Sequence, residues 1–351
     1  MTVKKTQNSN LHKAREGSVK YLNTAKSGKN DEFYTILSDV EKELRHYTKH
    51  FKDKIVLCNC DDPRVSNFFK YFLNSFERLG LKELITTCYQ NDKPDLFSQH
   101  KSDKGIYFRY GGEQKGNRLP DPAMVKPRDL KGDGDFRSEE CVNLLKEADI
   151  IVTNPPFSLF REYVAQLVEY GKKFLIVGNW NAITYRDVFK LIKDNKLWIG
   201  VNSNRNFTGF IVPKHYALHG TEARVDENGN RVVSTNTTCW FTNIDNKKRH
   251  EDLILYKTYT SQEFPKYDNY DAIDVSKTAD IPMDFEGVMG VPVTFLKYYS
   301  PEQFEIVGSD SEVKQGLLPA LIRRGWRGKT DRGYVKGKRL FARILIRKRA
   351  K

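Results

Sequence analysis

The sequence predicts an α/β fold, a doubly wound parallel sheet with helices on both faces, on three observations. Short apolar runs alternate with amphipathic segments of about 11 to 17 residues, turn signals separate the two, and the alternation persists from residue 31 to about residue 201. Strands alternating with helices form βαβ units, whose right-handed crossovers build parallel sheets covered on both faces.

The elements follow in order. Residues 1–30 are polar and basic without an apolar period and read as a flexible arm. From Asp31, placed to cap a first turn, Phe33, Ile36, Leu37, Val40, Leu44, Tyr47 and Phe51 recur at three- and four-residue steps and predict an amphipathic helix. Residues 54–59 form an apolar run of the kind buried on both faces of a parallel sheet. Pro63 opens a predicted helix to Leu79, and Gly80 stands where a left-handed C′ residue belongs. A strand at 83–89 precedes a Gly- and Lys-rich excursion over about 91–131, in which 105–110 is either one arm of a hairpin or part of an insertion.

Residues 138–148 then read as a helix, 149–153 as a buried strand, 158–170 as a helix closed by Gly171, and 173–177 as a strand. A helix over 184–195 and a strand at 197–201 complete the alternation. Beyond Val201 come short β-like runs at 207–212, 231–233 and 239–244, with Asn228-Gly229 as a hairpin-turn signal. From about residue 246 the chain reads as irregular and rich in Tyr, Asp and Pro.

Composition bounds the function. At 351 residues, 39% hydrophobic and 12% aromatic, the chain can build a sizeable core, so wholesale disorder and fibrous repeats are excluded. Mean hydropathy is −0.63. No apolar run approaches the roughly 18 residues that span a bilayer, and the N-terminus lacks the apolar core of a secretory signal. Five cysteines with no CxxC pair argue against a disulfide framework and a zinc ribbon, and point to a reducing cytoplasm. Cys58 and Cys60 alternate along a strand and read as buried small hydrophobes. The seven histidines form no ligand or triad pattern, so no metal is expected and hydrolase and nuclease readings lack support.

The net charge of +14 is concentrated at the two ends. Residues 1–30 carry +6 and residues 323–351 carry +12, which leaves 31–322 at about −4. Such blocks bind a polyanion by releasing its counterions, without reading sequence, or serve as solvated tails that keep the chain soluble.

The chemistry lies at Asn154-Pro155-Pro156-Phe157, which follows the predicted strand directly. Open α/β sheets bind ligands outside the carboxyl ends of their strands. Two prolines stiffen the backbone and leave its carbonyls as acceptors, and Asn154 adds a side-chain acceptor beside them. Two acceptors on the N–H bonds of a planar exocyclic amine favour its tetrahedral form and free the lone pair to attack an electrophilic methyl group. Phe157 would stack on the ring bearing that amine. The opposing reading is a strand-terminating turn with a core phenylalanine.

This tetrapeptide resembles the fourth motif of the amino-methyltransferases that use S-adenosylmethionine. The segments Asp31-Glu32-Phe33-Tyr34-Thr35, Cys58-Asn59-Cys60-Asp61-Asp62-Pro63, Gly132-Asp133-Gly134-Asp135-Phe136 and Gly287-Val288-Met289-Gly290-Val291-Pro292 narrow it. Together they resemble the EcoRI-type adenine-specific DNA methyltransferase family, in the gamma order of motifs, over about 31–307. Gly220-Thr221-Glu222-Ala223-Arg224 and the basic stretch 340–349 are also family-like, whereas 319–337 looks like a variable insert.

The resemblance implies a Rossmann-like S-adenosylmethionine-dependent fold acting on the N6 amine of an adenine in double-stranded DNA, as in restriction–modification or phage DNA protection. A base inside a duplex cannot reach a sheet edge, so it must be flipped out. In these terms Asn154 and the Pro155 carbonyl, stiffened by Pro156, would hold the amine, and Phe157 would stack on the base. Trp240 and Phe241 are candidates for the second wall of the base pocket, against the more common reading of such residues as sheet core. Phe33, Tyr34 and Thr35 resemble the N-terminal cofactor motif, and Asp135 and Phe136 the one that meets the cofactor's adenine. Asn59, Asp61 and Asp62 would line its methionine end, unless an acid there merely caps the following helix. The loop at 58–63 lacks the glycine usual after the first strand, and the second strand shows no ribose-binding acid.

The chain thus divides into a basic arm (1–30), a catalytic domain (31–245) and an irregular DNA-contacting portion (246–351), expected to act as a monomer or weak dimer. Asn204, Arg205, Asn206 and Arg224 are candidates to reach base edges. Rival readings are methylation of RNA or a protein glutamine, and a DNA-binding protein that has kept the fold without catalysis.

Overall fold

The computed structural model describes residues 34–60, 62–89, 104–112, 126–203, 206–212, 223–227, 229–234 and 236–350. The basic arm, Asp31 and most of the 91–131 excursion lie outside these. Two compact units emerge: one holds the described residues up to Ala182 together with Gly200–Ile244, the other Ile183–Ile199 and the chain from Asp245 onward.

In chain order the first part of the molecule runs β1 (Tyr34–Thr35), α1 (Leu37–Leu44), β2 (Ile55–Asn59), α2 (Asn67–Asn74), α3 (Phe76–Leu79), β3 (Glu83–Cys88), β4 (Ile106–Tyr110) and β5 (Arg128–Asp129). There follow α4 (Glu139–Glu147), β6 (Ile150–Thr153), α5 (Phe160–Glu169), β7 (Lys173–Asn179), α6 (Arg186–Lys193), β8 (Trp198–Ser203), β9 (Phe210–Ile211), β10 (Ala223–Val225), β11 (Arg231–Val233) and β12 (Thr238–Thr242). Of these, α6 belongs to the second unit.

The periodic run from 33 to 51 is not one helix. Tyr34 and Thr35 pair antiparallel with Ile211 and Phe210, which pulls the start of the run into a strand, and Thr48–His50 closes it as a 3-10 turn. The helix expected from Pro63 begins at Asn67 instead. The Asp62 carboxylate accepts the Arg64 amide at 2.9 Å and the Asp62 carbonyl accepts Val65 and Ser66, forming a turn, and Ser66 Oγ then caps α2 by accepting the Phe69 amide at 3.2 Å. Gly80 closes α3 with φ +62°, as its C′ position requires.

The main sheet has the order β5-β4-β3-β2-β6-β7-β12-β8. It is mixed, not the wholly parallel sheet the alternation suggested. The centre, β3-β2-β6-β7, is parallel, while β4, β5 and β12 run antiparallel to their neighbours. Within the 91–131 excursion, 106–110 is therefore a strand, paired to β3. The residues Val56, Cys58, Val152, Leu175, Val177 and Trp240 pack under α1 and α2 on one face. On the other face, Phe160 of α5 and Phe241 of β12 meet over Gly178, where no Cβ could fit.

A second, four-stranded sheet, β1-β9-β11-β10, is all antiparallel. Two acids one turn apart on α1 hold the stretches that lead into it. Glu43, fully buried, accepts the amides of Val201 (2.8 Å) and Asn202 (2.7 Å) and the Tyr47 hydroxyl (2.9 Å). Asp39 accepts the Thr208 amide (2.7 Å) and hydroxyl (2.6 Å) and the Gly209 amide. Gly209, at φ +138°, leads directly into Phe210.

The C-terminal segment expected to be irregular contains its own sheet. In the second unit β13 (Ile273–Asp274), β14 (Met289–Pro292), β15 (Phe304–Ser309) and β18 (Arg343–Lys348) pair in the order β13-β14-β18-β15, with α7 (Asp310–Lys314) after β15 and the hairpin β16 (Tyr334–Val335) and β17 (Lys338–Arg339) before β18. Its core joins Tyr267, Tyr270, Val288, Val313 and Leu345, and the buried Arg343 pairs with Asp274 at 2.9 Å. Short strands of two to six residues broken by turns leave no periodic signature, which is why composition alone suggested irregularity. No helix among the described residues is long and apolar enough to cross a membrane.

Candidate active site

From β2 the chain steps outward to β3, β4 and β5, then returns to the opposite side of β2 as β6. Such a reversal opens a crevice at the carboxyl ends of the two strands that flank it. The residues at this switch point are Asn59, the last of β2, and Asn154, the first after β6. The two strand ends are tied together, because the Thr153 hydroxyl donates to the Asn59 carbonyl.

Asn154 and Pro156 are half-buried and Pro155 is buried. The Pro156 carbonyl accepts the Leu159 amide at 3.0 Å and so belongs to the 3-10 turn Phe157–Leu159 that leads into α5, whereas no described backbone amide donates to the Pro155 carbonyl. The Phe157 ring, half-buried, meets the edge of Phe210 at 5.8 Å between centroids and 71° between planes. Since Phe210 pairs with Thr35 in β1, the small sheet joins the N-terminal segment to the aromatic of the tetrapeptide.

Around Asn59 the contacts continue. Its side-chain oxygen accepts the Tyr163 hydroxyl from α5, and the Tyr163 ring meets Phe136 edge-on at 5.1 Å. Phe136 follows Gly134, which takes φ +84° and lies so close to the Cys88 carbonyl at the end of β3 that a Cβ would stand 2.5 Å from it. Asp135 is held by the Arg137 guanidinium at 2.7 and 2.9 Å, and that cation keeps its carboxyl below the usual range. Arg137 also reaches Glu162 at 2.9 Å. Asn59, Tyr163, Phe136, Asp135 and the tetrapeptide are thus gathered at one sheet edge.

Tyr34 is half-buried and Thr35 buried, and the Thr35 carbonyl accepts Asn67 Nδ2 at 2.8 Å. Its buried hydroxyl has no hydrogen-bond partner among the described residues. Asp62 is buried and both its oxygens engage Arg64, at 2.6 to 3.1 Å. Phe33, Asp61, Asn204 and Arg205 lie outside the described residues. Asn206 is exposed, and Arg224 spends its guanidinium on Ser234 Oγ (2.6 Å) and the Thr208 carbonyl (3.3 Å).

Trp240 and Phe241 occupy the core instead of the second wall. Both are 0% exposed, on opposite faces of β12: Trp240 packs on Phe68 and Phe207, Phe241 on Phe160. A ring with no exposed surface cannot stack on an incoming base unless the sheet opens. Phe157 does meet Phe210, a residue of the short β-like run 207–212 to which sequence reasoning assigned no role. Tyr163 also escaped notice, although a tyrosine on the apolar side of the helix after the tetrapeptide is a usable signal.

The glycine missing from the loop after β2 has a structural substitute, for Cys60 itself adopts φ +67°. A side chain in this left-handed region costs about 1 kcal/mol or more. Cys60→Gly is therefore expected to leave stability within about 1 kcal/mol of the parent or raise it, while Cys60→Val should lose more than about 1 kcal/mol, as measured by denaturant unfolding.

Comparison with known proteins identifies the family. The family model described as adenine-specific methyltransferase EcoRI matches residues 21–349. The chain is 55% identical over 296 residues to the type II methyltransferase M.EcoRI of Escherichia coli, covering 84% of this chain and 90% of that one. It is 37% identical over 335 residues to M.MgeORF184P of Mycoplasma genitalium (93% and 98% covered) and 36% over 336 residues to M.MpnI of Mycoplasma pneumoniae (94% and 98%), both type II methyltransferases. No solved structure matches.

Proposed function

The chain belongs to the adenine-specific EcoRI methyltransferase family, and on that premise we propose that it is a site-specific DNA methyltransferase acting on the N6 amine of an adenine flipped out of double-stranded DNA. The observation that carries this reading is the placement of Asn154-Pro155-Pro156-Phe157 at the end of β6, across the switch point from Asn59.

The residues fit S-adenosylmethionine. Thr35 offers a buried, uncommitted hydroxyl, Asn59 stands at the tip of the first central strand, and Asp135 and Phe136 stand at the neighbouring edge, the carboxylate paired with Arg137 and the ring buried under it. Tyr34, Thr35, Asn59, Asp135 and Phe136 would hold the cofactor. Asp62, neutralised by Arg64, would shape the loop more than pair with an ammonium group. When bound, the cofactor supplies an electrophilic methyl group. The chain's own part is positional and electrostatic. Asn154 Oδ1 and the Pro155 carbonyl accept the two N–H bonds of the adenine amine, so its lone pair turns toward the methyl. The ring of Phe157, braced by Phe210, stacks on the base. Transfer would break the sulfur–methyl bond as the nitrogen–methyl bond forms, leaving a neutral thioether and a cationic nitrogen whose charge the same two oxygens would stabilise until one N–H proton passes to solvent.

Methyl transfer from labelled S-adenosylmethionine, assayed in parallel on duplex DNA, RNA and a glutamine-bearing protein, tests the reading. Label on N6 of adenine in duplex DNA is the expected result. Label confined to RNA or protein would overturn it.

A further inference from the structure

The positive block at the C-terminus, which as sequence could have been a solvated tail, is built into the second unit as a fixed ribbon. The β16–β17 hairpin turns through Lys336 (φ +50°) and Gly337 (φ +72°), the two-residue left-handed turn that matches strand twist. Its attachment is buried and polar. Asn269, 0% exposed, donates to the Arg332 carbonyl (2.8 Å), accepts the Tyr334 amide (3.0 Å) through its side chain, and accepts the Arg323 amide (2.9 Å) through its carbonyl. The Tyr270 hydroxyl donates to the Thr330 carbonyl (2.7 Å), and Asp268 accepts the Gly337 amide at the turn (2.8 Å). Gly333 lies against the Tyr267 ring so closely that a Cβ would come within 2.6 Å of it.

The cations of this segment divide into those the fold uses and those it leaves exposed, and Arg323 belongs to the first group, donating to the Tyr270 carbonyl at 3.1 Å. Arg339 pairs with Asp331 (2.6 Å), Arg343 with Asp274, and Arg347 with Glu305. Arg324, Arg327, Lys329, Lys336 and Lys338 are exposed and make no ion pair with any described residue. Trp326, tilted on Tyr334 at 5.8 Å, and Phe341, 82% exposed, interleave apolar rings with them. Fixing five like charges on one rigid loop costs both entropy and self-repulsion, and a polyanion is the ligand that offsets both.

We infer that the loop 323–339 is a docking ribbon for the backbone of duplex DNA, with Lys336 and Lys338 on phosphates and Asn269 as its positioning residue. A two-stranded ribbon is one of the shapes that the major groove admits. This deepens the function proposed above and rests on it.

The test measures binding of the full chain to a labelled duplex by anisotropy across salt concentrations, with methyl transfer followed in the same preparations. Lys336→Ala/Lys338→Ala is expected to weaken binding about tenfold near 0.1 M salt and to flatten the slope of log K against log salt by about 2. Asn269→Ala keeps every cation but releases the ribbon, and should weaken binding comparably. If the double variant binds with the parent's affinity and slope, the ribbon assignment is overturned; the same holds if it loses only affinity for phosphatidylglycerol vesicles. A parent protein that fails to methylate duplex DNA would instead remove the function itself, so the two failures are distinguishable.

Discussion

Asn154→Ala is expected to lower kcat for methyl transfer by about 10²- to 10³-fold while leaving the affinity for S-adenosylmethionine within about twofold of the parent. The amine of adenine is a poor nucleophile because its lone pair is shared with the ring. On the proposed mechanism Asn154 would contribute an oxygen held where the nitrogen pyramidalises, on a backbone stiffened by Pro155 and Pro156 and fixed to β2 through Thr153 and Asn59. That contribution is larger in the transition state than in the ground state, so it appears in kcat and not in cofactor binding. Asn154→Asp retains an acceptor and should keep much more activity than the alanine variant. Single-turnover kinetics on duplex DNA, with cofactor affinity measured separately, check both. Parent-like turnover in Asn154→Ala would end the proposed mechanism.

Glu43→Ala is expected to destabilise the first unit by about 3 kcal/mol, because it leaves the half-buried amides of Val201 and Asn202 and the buried Tyr47 hydroxyl without their acceptor. Glu43 also makes stability depend on pH. Burial pushes its carboxyl up from 4.5 to about 7, although four hydrogen bonds pull the other way. Between those values the unfolded chain has released the proton and the folded chain keeps it. The contribution is therefore complete below pH 4.5 and is lost as pH rises through 7, a change of about 3 kcal/mol at most. Glu43→Gln cannot titrate, so its stability relative to the parent should rise over that window. Denaturant unfolding at pH 5 and pH 8 measures the difference; parallel pH profiles for the two proteins would contradict it.

Legibility in the sequence followed the range of the interactions. The strands β2, β3, β6 and β7 and the helices α4 and α5 were readable, because burial on two faces or one stripe writes a local period into the chain. The position of the tetrapeptide was readable because it directly follows an apolar run that forms β6. The break of the 33–51 run was not, since β1 is made by partners at 210 and 211. Nor was the role of Phe210, which depends on Gly209 and on the Asp39 carboxylate 170 residues away. For Trp240 and Phe241 pocket wall and sheet core were both open, because composition cannot tell an aromatic facing a cleft from one facing a core, and the structure places both in the core.

The sequence by itself determined the alternation of strands and helices, the position of the Asn154–Phe157 tetrapeptide after a strand and the concentration of positive charge at the ends, all properties of neighbouring residues. Tertiary structure alone decided that Cys60 serves where glycine is usual, that Phe210 meets Phe157 while Trp240 and Phe241 are core, and that the segment carrying the C-terminal cations is held by buried Asn269. The reason is physical. Local propensity and hydrophobic period act within a few residues, whereas the walls of a site are set by hydrogen bonds and ring contacts that close only once distant segments have packed.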